Sequence, residues 1–391
     1  MGTPTAAEAT TQHVLIAPDK FKGSATAAEV AESVAVGIRR VAPDVPLAVL
    51  PVADGGDGTV DAAVAAGFER REVTVTGPLG GQVVGSFALR SGTAVVEMAQ
   101  ASGLVRLPGG RLAPLTAGTR GTGELVLAAL RASAGTIVLG VGGSATTDGG
   151  VGMLAALGAR FLDADGRELP DGGGALRDLA SVDLTGLDPR LADTEFILAS
   201  DVDNPLLGPH GAAAVYSPQK GATPEDVVRL EAGLARLADA LARTLGPEAS
   251  RAPDAPGAGA AGGMGYGAMA VLHAHREPGI AILLDVLGFD KALIGARLVI
   301  TGEGALDEQT LHGKAPAGVA NAARARSIPV VAVCGRLLLD PARLAEAGFA
   351  AAYALTDIEP DVALCIAEPR PILESLGELI ARDHLLHLPR S

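Results

Sequence analysis

The stretch Ile137–Phe161, IVLGVGGSATTDGGVGMLAALGARF, limits what this chain can fold into. Ile137–Val141 is a short continuous apolar run, the mark of a strand covered on both faces in a parallel sheet. Gly142–Gly150 follows as a loop of Gly, Ser, Thr and one acid, Asp148. Val151, Leu154, Ala155 and Leu157 then resume at helical spacing. Strand, glycine-rich loop and helix start bring backbone N–H groups and the positive end of a helix dipole to one place. An anion suits that place, and Asp148 could hold a cation that accompanies it. The plainer reading of the same residues is a tight strand-to-helix turn that needs Gly for its dihedrals. The stretch is neither a P-loop nor a GxGxxG fingerprint, since it lacks Gly-Lys-Ser/Thr and the dinucleotide glycine spacing.

Other parts of the chain repeat the pattern. Val14–Ala17 leads into DKFKG, Leu47–Val52 into DGGDG, Phe196–Ser200 into DVDN, and Leu298–Thr301 into GEGALD. Each polar segment thus follows the carboxyl end of an expected strand, the edge where open α/β sheets bind ligands. HGK at 312–314 opens a helix just beyond the last of them; its His312 is expected to hydrogen-bond structurally. Thr26 with Glu29 forms a capping box, and Thr223-Pro224 opens a long helix reaching about Leu245. Glu72–Thr76, Val83–Leu89 and Thr93–Glu97 alternate around turn residues and read as antiparallel strands. Gly246–Gly263, rich in Gly, Ala and Pro, reads as a loop or linker, with Met264 and Met269 beyond it as packing or a hinge. His273 and His275 read as helix surface.

Strand–helix alternation at both ends, with mixed elements between, predicts an α/β protein of two domains. A doubly wound Rossmann/flavodoxin-like domain would be formed by both chain ends, residues 1–75 and 290–391. A second α/β domain of mixed sheet, residues 76–289, would be inserted and carry the Gly-rich loop. The polar segments would converge on a cleft between the two.

Composition narrows the chemistry. With 48% hydrophobic and 19% charged residues the chain can bury a substantial core. A net charge of −14 argues against nucleic acid or an anionic membrane as partner. Two cysteines, Cys334 and Cys365, supply neither a disulfide frame nor a Cys-type zinc site. Residues 1–12 read as a tail without the features of a signal peptide, and no apolar run approaches ~18 residues, so a cytoplasmic location is expected. Lysine is scarce beside arginine, yet Lys20, Lys22, Lys220 and Lys314 all sit in Gly-containing polar loops. A compact ammonium suits phosphate as a point charge. Gly-rich backbone, lysines and several acids fit phosphoryl transfer assisted by a divalent ion. Hydride transfer would need a dinucleotide fingerprint, and hydrolysis through Ser or Cys a paired His.

Several long motifs then carry a resemblance. APDKFKGSATAAEVAESVAVGI, PVADGGDGT, VEMAQASGL, GTRGTGEL, GVGGSATTDGGVGMLAALGARFLD, SDVDNPLLGPHGAA, SPQKGATPED and TGEGALDEQTLHGKAPAGVA resemble the type-1 glycerate kinase family, in order over nearly the whole chain. Tyr216 and Ser217 depart from that family's pattern before PQKG, at a supporting position. The resemblance implies ATP-dependent phosphorylation of D-glycerate at the 2-hydroxyl, with Mg²⁺ accompanying ATP. Glycerate 3-phosphorylation, another small hydroxy acid as substrate, and a two-lobed binding protein without turnover are the alternatives. A monomer or homodimer is expected.

Roles follow from the chemistry of the side chains. Asp201 is the candidate base or orienter for the acceptor hydroxyl, and Asp57 and Asp148 are alternatives for that role or for Mg²⁺. Gly142, Gly143, Ser144, Thr147, Gly149 and Gly150, with Lys314, would cradle the ATP phosphates. Lys314 and one of Lys20 or Lys22 would neutralise charge on the transferred group. Glu303 and Asp307 would hold metal or ribose. Arg120 is the candidate for the substrate carboxylate, with Asp54 and Asn204 also on the substrate side. The bland readings make Asp54, Asp57, Asp201 and Asp203 turn or cap residues, Glu303 and Asp307 surface caps, and Lys220 a loop support.

Overall fold

Short apolar runs become strands throughout. A computed structural model describes residues 12–386 apart from 247, 248 and 250, so the tail expected over 1–12 lies outside the described residues save for Gln12. The strands are β1 (His13–Ile16), β2 (Leu47–Val49), β3 (Glu69–Thr76), β4 (Gln82–Arg90), β5 (Thr93–Glu97), β6 (Thr136–Gly140), β7 (Arg160–Leu162), β8 (Ser181–Asp183), β9 (Glu195–Ala199), β10 (His275–Glu277), β11 (Ala296–Leu306), β12 (Val330–Leu337) and β13 (Ala351–Ala354). The chain divides into two units, Met1–Ala53 with Leu283–Ser391, and Asp54–Ile282.

The first unit has a five-stranded sheet in the order β13-β12-β11-β1-β2. Every pairing in it is parallel. Numbered within the unit this is 2-1-3-4-5, the flavodoxin-like doubly wound order. The capping box at Thr26 and Glu29 starts the helix Ala27–Val41. Val30, Val34 and Ile38 of that helix pack with Ile16, Ile300 and Val333 of the sheet and with Leu373, Leu376 and Ile380 of the helix Pro369–His384. The two helices cross closely: a Cβ on Gly37 would lie 1.9 Å from the Glu374 carbonyl oxygen, and one on Gly377 would lie 2.3 Å from that of Val34.

One motif changes character here. GEGALD is expected as a loop after a strand ending at Thr301, yet β11 runs on to Leu306 and pairs with β12 as far as Leu337. Glycine permits the close approach. A Cβ on Gly302 would sit 2.0 Å from the Val333 carbonyl oxygen, and one on Gly335 would sit 2.4 Å from that of Gly304. Alternation along the strand then sets Glu303 on the face opposite to these glycines.

The second unit has a six-stranded mixed sheet in the order β10-β9-β6-β5-β4-β3. β5, β6, β9 and β10 are parallel, and β4 runs antiparallel to both β5 and β3. β3 pairs with β4 from Glu69↔Leu89 to Thr76↔Gln82. That pairing carries residues 54–75, expected in the first domain, into the second unit, while 283–289 lie with the first. The helix Pro224–Leu245 starts on a Thr223–Asp226 capping box, as its sequence indicates.

The described part of the expected linker Gly246–Gly263 is not loose: Ala258 and Ala260 are fully buried. The segment Ala260–Leu272 is helical except at Ala261, Gly262 and Gly263, which have φ of 53°, 69° and 88°. Small residues there fit a crowded interior rather than a flexible connection. His273 and His275 are not helix surface; His273 ends that helix in a left-handed conformation, and His275 begins β10. Among the described residues no helix is long and apolar enough to cross a membrane.

Gly302→Ala tests the β11–β12 contact. It should lower stability by roughly 2 kcal/mol or more, because backbone must move to admit the methyl. Gly135→Ala, with open space around its position, should change stability by less than about 0.5 kcal/mol. Equal urea midpoints for the two variants would contradict this reading.

Candidate active site

In the second unit the carboxyl ends of β5, β6, β9 and β10 lie at Glu97, Gly140, Ala199 and Glu277. DGGDG is pressed against this edge. A Cβ on Gly55 would stand 2.9 Å from the Ala199 carbonyl oxygen, and one on Gly140 would stand 2.7 Å from that of Gly55. A Cβ on Gly142 would stand 2.4 Å from Gly56 Cα, and the Gly142 N–H donates to the Gly55 carbonyl at 3.2 Å. The two glycine loops therefore meet backbone to backbone. Asp57 Oδ1 lies 2.7 Å from where a Cβ of Gly143 would be, and Gly143 holds a left-handed φ of 73°. The segment after β5 ties the loop down, with Leu104 N–H donating to Gly143 and Ala145 N–H to Ser102.

The loop's second half faces inward. The Asp148 carboxylate is 1% exposed. It accepts from Thr119 N–H (2.9 Å), Thr119 Oγ1 (2.8 Å), Gly150 N–H (3.1 Å) and Gly152 N–H (3.2 Å). Thr119 Oγ1 in turn accepts from Met153 N–H at 2.9 Å. The start of the helix Val151–Ala156 does meet an anion, and the anion is the chain's own Asp148. Gly149 N–H donates to the Gly262 carbonyl, and Thr147 is buried. Thr147, Gly149 and Gly150, expected to cradle phosphate, thus turn away from solvent; Gly142, Gly143 and Ser144 remain accessible. Burial pushes the Asp148 carboxyl up, against the pull of Thr119, Gly150 and Gly152.

Lys220 supports the central loop as well as its own. It is 1% exposed, and its Nζ donates to the Thr146 carbonyl at 2.6 Å. Burial pushes its ammonium down to about 7, with the charge of Asp148 opposing.

The β9 edge carries the candidate base. Asp201 Oδ1 accepts from Gly279 N–H at 2.8 Å. A Cβ on Gly279 would lie 2.1 Å from the Asp54 carbonyl oxygen and 3.0 Å from Asp201 Oδ2, so these residues share one spot. Asp201 is open to solvent on its outer side. Desolvation of its inner side pushes its carboxyl up to about 6; the charges of Asp54 and Asp203 add to this, while Gly279 N–H and Arg276 oppose it. Asp54 itself accepts from Gly56 N–H at 3.2 Å.

Two expected substrate residues have partners within the protein. Arg120 clamps Asp171 in a two-pronged ion pair, Nε to Oδ2 at 2.9 Å and a terminal nitrogen to Oδ1 at 2.9 Å. Asn204 accepts from the Tyr216 hydroxyl at 2.5 Å and donates to the His210 carbonyl at 2.8 Å, which braces its loop.

Lys20, Lys22, Glu303, Asp307 and Lys314 belong to the first unit. DKFKG leaves β1 beside β11, the point where the strand order reverses: Asp19 N–H donates to the Gly302 carbonyl at 2.8 Å. Lys20 pairs with Asp19 at 3.9 Å, and Lys22 is exposed. Glu303 is buried, accepts from Thr310 Oγ1 at 2.5 Å and pairs with Lys314 at 3.4 Å. Burial pushes its carboxyl up, while Thr310 and Lys314 hold it down. Asp307 caps a turn, accepting from Gln309 and Thr310 N–H. The side chain of His312 lies outside the described residues. Among the described residues no three His, Cys, Asp or Glu side chains gather as a metal site. Asp148, Glu303 and Asp307 each meet donors of the protein instead.

The model of the glycerate kinase family matches residues 14–385. The chain belongs to the glycerate kinase family. Within the family it is 47% identical over 345 residues to a glycerate kinase of Bacillus subtilis (strain 168), a match covering 88% of this chain and 90% of that one. It is 45% identical over 346 residues to the glycerate 2-kinase of Escherichia coli (strain K12), again covering 88% and 90%. The crystal structure of a protein assigned as glycerate kinase 2 from Salmonella typhimurium LT2 superposes with a TM-score of 0.82 at 42% identity, covering 95% of this chain and 98% of that one.

Three positions of this family member escaped the sequence reading. Glu97 is 2% exposed and accepts from Val60 N–H at 3.1 Å, at the start of the helix Thr59–Ala65. Burial pushes it up to about 7, with the charge of Asp57 adding. Its signal was an acid ending an apolar strand, the position that singled out the other loops. Gly279 and Arg276 had no such signal, because their partners lie some 75 residues away in sequence.

Lys220 gives a test. Its ammonium is disfavoured only in the folded state, so the unfolded chain binds more protons between about pH 7 and the ordinary lysine range. Stability should therefore rise with pH across that window. Lys220→Met should flatten the rise in denaturant titrations at successive pH values; an unaltered slope would contradict the burial argument.

Proposed function

We propose that this chain transfers the γ-phosphoryl group of ATP to the 2-hydroxyl of D-glycerate, giving 2-phosphoglycerate. One observation carries the reading at the residue level: Asp201 stands where DGGDG and the end of β9 meet, its carboxyl pushed up to about 6 and oriented by Gly279 N–H. A base poised near neutral pH can take the hydroxyl proton as the phosphorus–oxygen bond forms. The relative named glycerate 2-kinase favours the 2-hydroxyl over the 3-hydroxyl.

The remaining roles follow from accessibility and charge. Gly142, Gly143 and Ser144 are the part of the central loop open to a phosphate. Lys20, Lys22 and Lys314 are the first unit's cations for the transferred group. Asp57 stays an alternative orienter of the acceptor, beside the open Gly143 of the central loop. Asp148 acts through the loop it holds, as a positioning residue. Mg²⁺ enters as the companion of ATP; such an ion commonly keeps its waters and binds mainly phosphate oxygens. With the expected carboxylates engaged, no step is assigned to it. The enzyme would work in the cytoplasm, as a monomer or homodimer.

A coupled assay with D-glycerate and ATP, followed by NMR of the product, tests the reading. It should yield 2-phosphoglycerate; 3-phosphoglycerate would overturn the regiochemistry, and no turnover would overturn the activity. Asp201 must be ionised to accept a proton, so kcat/KM should rise with pH through about 6 and level off above it. Asp201→Asn should remove that acid limb and lower kcat by ~10²-fold or more. A variant with near-normal turnover would take Asp201 out of the role.

A further inference from the structure

We infer that Arg276, rather than Arg120, receives the substrate's carboxylate, and that Asp203 occupies its place until substrate arrives. The inference rests on the activity proposed above and names the specificity residue of the same site. A small hydroxy acid brings one permanent negative charge besides its hydroxyls. The site therefore needs a cation near the proton acceptor that is fixed in position and able to exchange its partner.

Arg120 does not meet the second condition. Its Nε and a terminal nitrogen both bind Asp171, the fork-to-carboxylate geometry that is strongest and most specific. A substrate would have to break both contacts.

Arg276 meets both conditions. Its Nε donates to the Ser200 carbonyl at 3.1 Å, which anchors the guanidinium beside the residue that precedes Asp201. Its stem runs over Gly257, where a Cβ would lie 2.6 Å from Arg276 Cδ; Gly257 has a left-handed φ of 87°. β10 holds Arg276 in register with Leu198 of β9, and Gly279, three residues on, donates to Asp201. Arg276 also acts on Asp201 electrostatically, holding its carboxyl down. The only ion pair of Arg276 among the described residues is with Asp203, a terminal nitrogen to Oδ1 at 2.6 Å, and the Asp203 side chain is 77% exposed. A carboxylate so exposed costs little to displace, since such pairs contribute about 1 kcal/mol or less. A glycerate carboxylate in its place would bring the 2-hydroxyl, on the adjoining carbon, to the segment that carries Asp201.

Steady-state kinetics of the full chain test the assignment. Arg276→Gln should raise KM for D-glycerate by roughly 10- to 100-fold, the range of a lost hydrogen bond to a charged group. KM for ATP should stay within about twofold. Arg276→Lys should recover part of the loss, and Asp203→Asn should lower KM for glycerate by removing the competing carboxylate. Glyceramide, the neutral isostere, separates charge recognition from a merely structural role: Arg276→Gln should lose most of the preference for glycerate over glyceramide. An unchanged glycerate KM in Arg276→Gln, or the main loss of that preference in Arg120→Gln instead, would overturn the assignment and leave the activity standing. Absence of glycerate phosphorylation by the unaltered chain would instead remove the activity on which it rests.

Discussion

The site of the second unit depends on the close approach of two glycine backbones. Gly142 and Gly56 come so near that a methyl group on the first would overlap the Cα of the second, and the Gly142 N–H bonds to Gly55 across the same contact. Buried backbone must find partners, and side chains at these positions would hold the loops apart. With glycine there, the loop after β6 and the Asp54–Gly58 loop share one layer on the ends of the parallel strands. Asp54 and Asp57 reach that layer from one stretch of chain and Asp201 from another.

Asp148 performs the complementary task beneath it. A helix start attracts negative charge, and here the attraction is met internally. The carboxylate binds the N–H groups of Gly150 and Gly152 and links them to Thr119 at the head of the helix Arg120–Arg131. Lys220 adds a buried donor to the same loop, at the Thr146 carbonyl. Gly262 accepts from Gly149 N–H, so the Ala- and Gly-rich segment braces the same loop. The inner half of the loop is therefore rigidly bonded, and only its outer half faces solvent.

How much of this the sequence discloses depends on the range of the interaction involved. Local signals read well: the Thr26 and Thr223 caps, the apolar runs of β1, β6 and β9, and the placing of acids after strand ends. The doubly wound unit follows from strand–helix alternation alone. Signals that rest on distant partners mislead. GEGALD looks like a loop because of its glycines, yet those glycines serve a neighbouring strand at Val333. Gly246–Gly263 looks flexible for the same reason, though its later residues fill a crowded interior. Asp148 looks like a metal ligand until Thr119, 29 residues earlier, closes on it. Arg120 looks like a free cation until Asp171 does the same.

What distinguishes the proposed base from the buried structural acid is the set of donors each meets. Asp148 meets four and is sealed. Asp201 meets one N–H on its inner side and stays open on the outer, so it can be both raised in pKa and reachable. The environment of Asp201 depends on the Asp54–Gly58 loop, whose Asp54 carbonyl packs against Gly279. The most direct measurement is the turnover of Gly142→Ala beside its thermal unfolding. Forcing Gly142 and Gly56 apart should lower kcat by ~10²-fold or more, the scale expected for misplaced reacting groups, while a cooperative unfolding transition persists. Near-normal kcat in a folded Gly142→Ala protein would contradict the account.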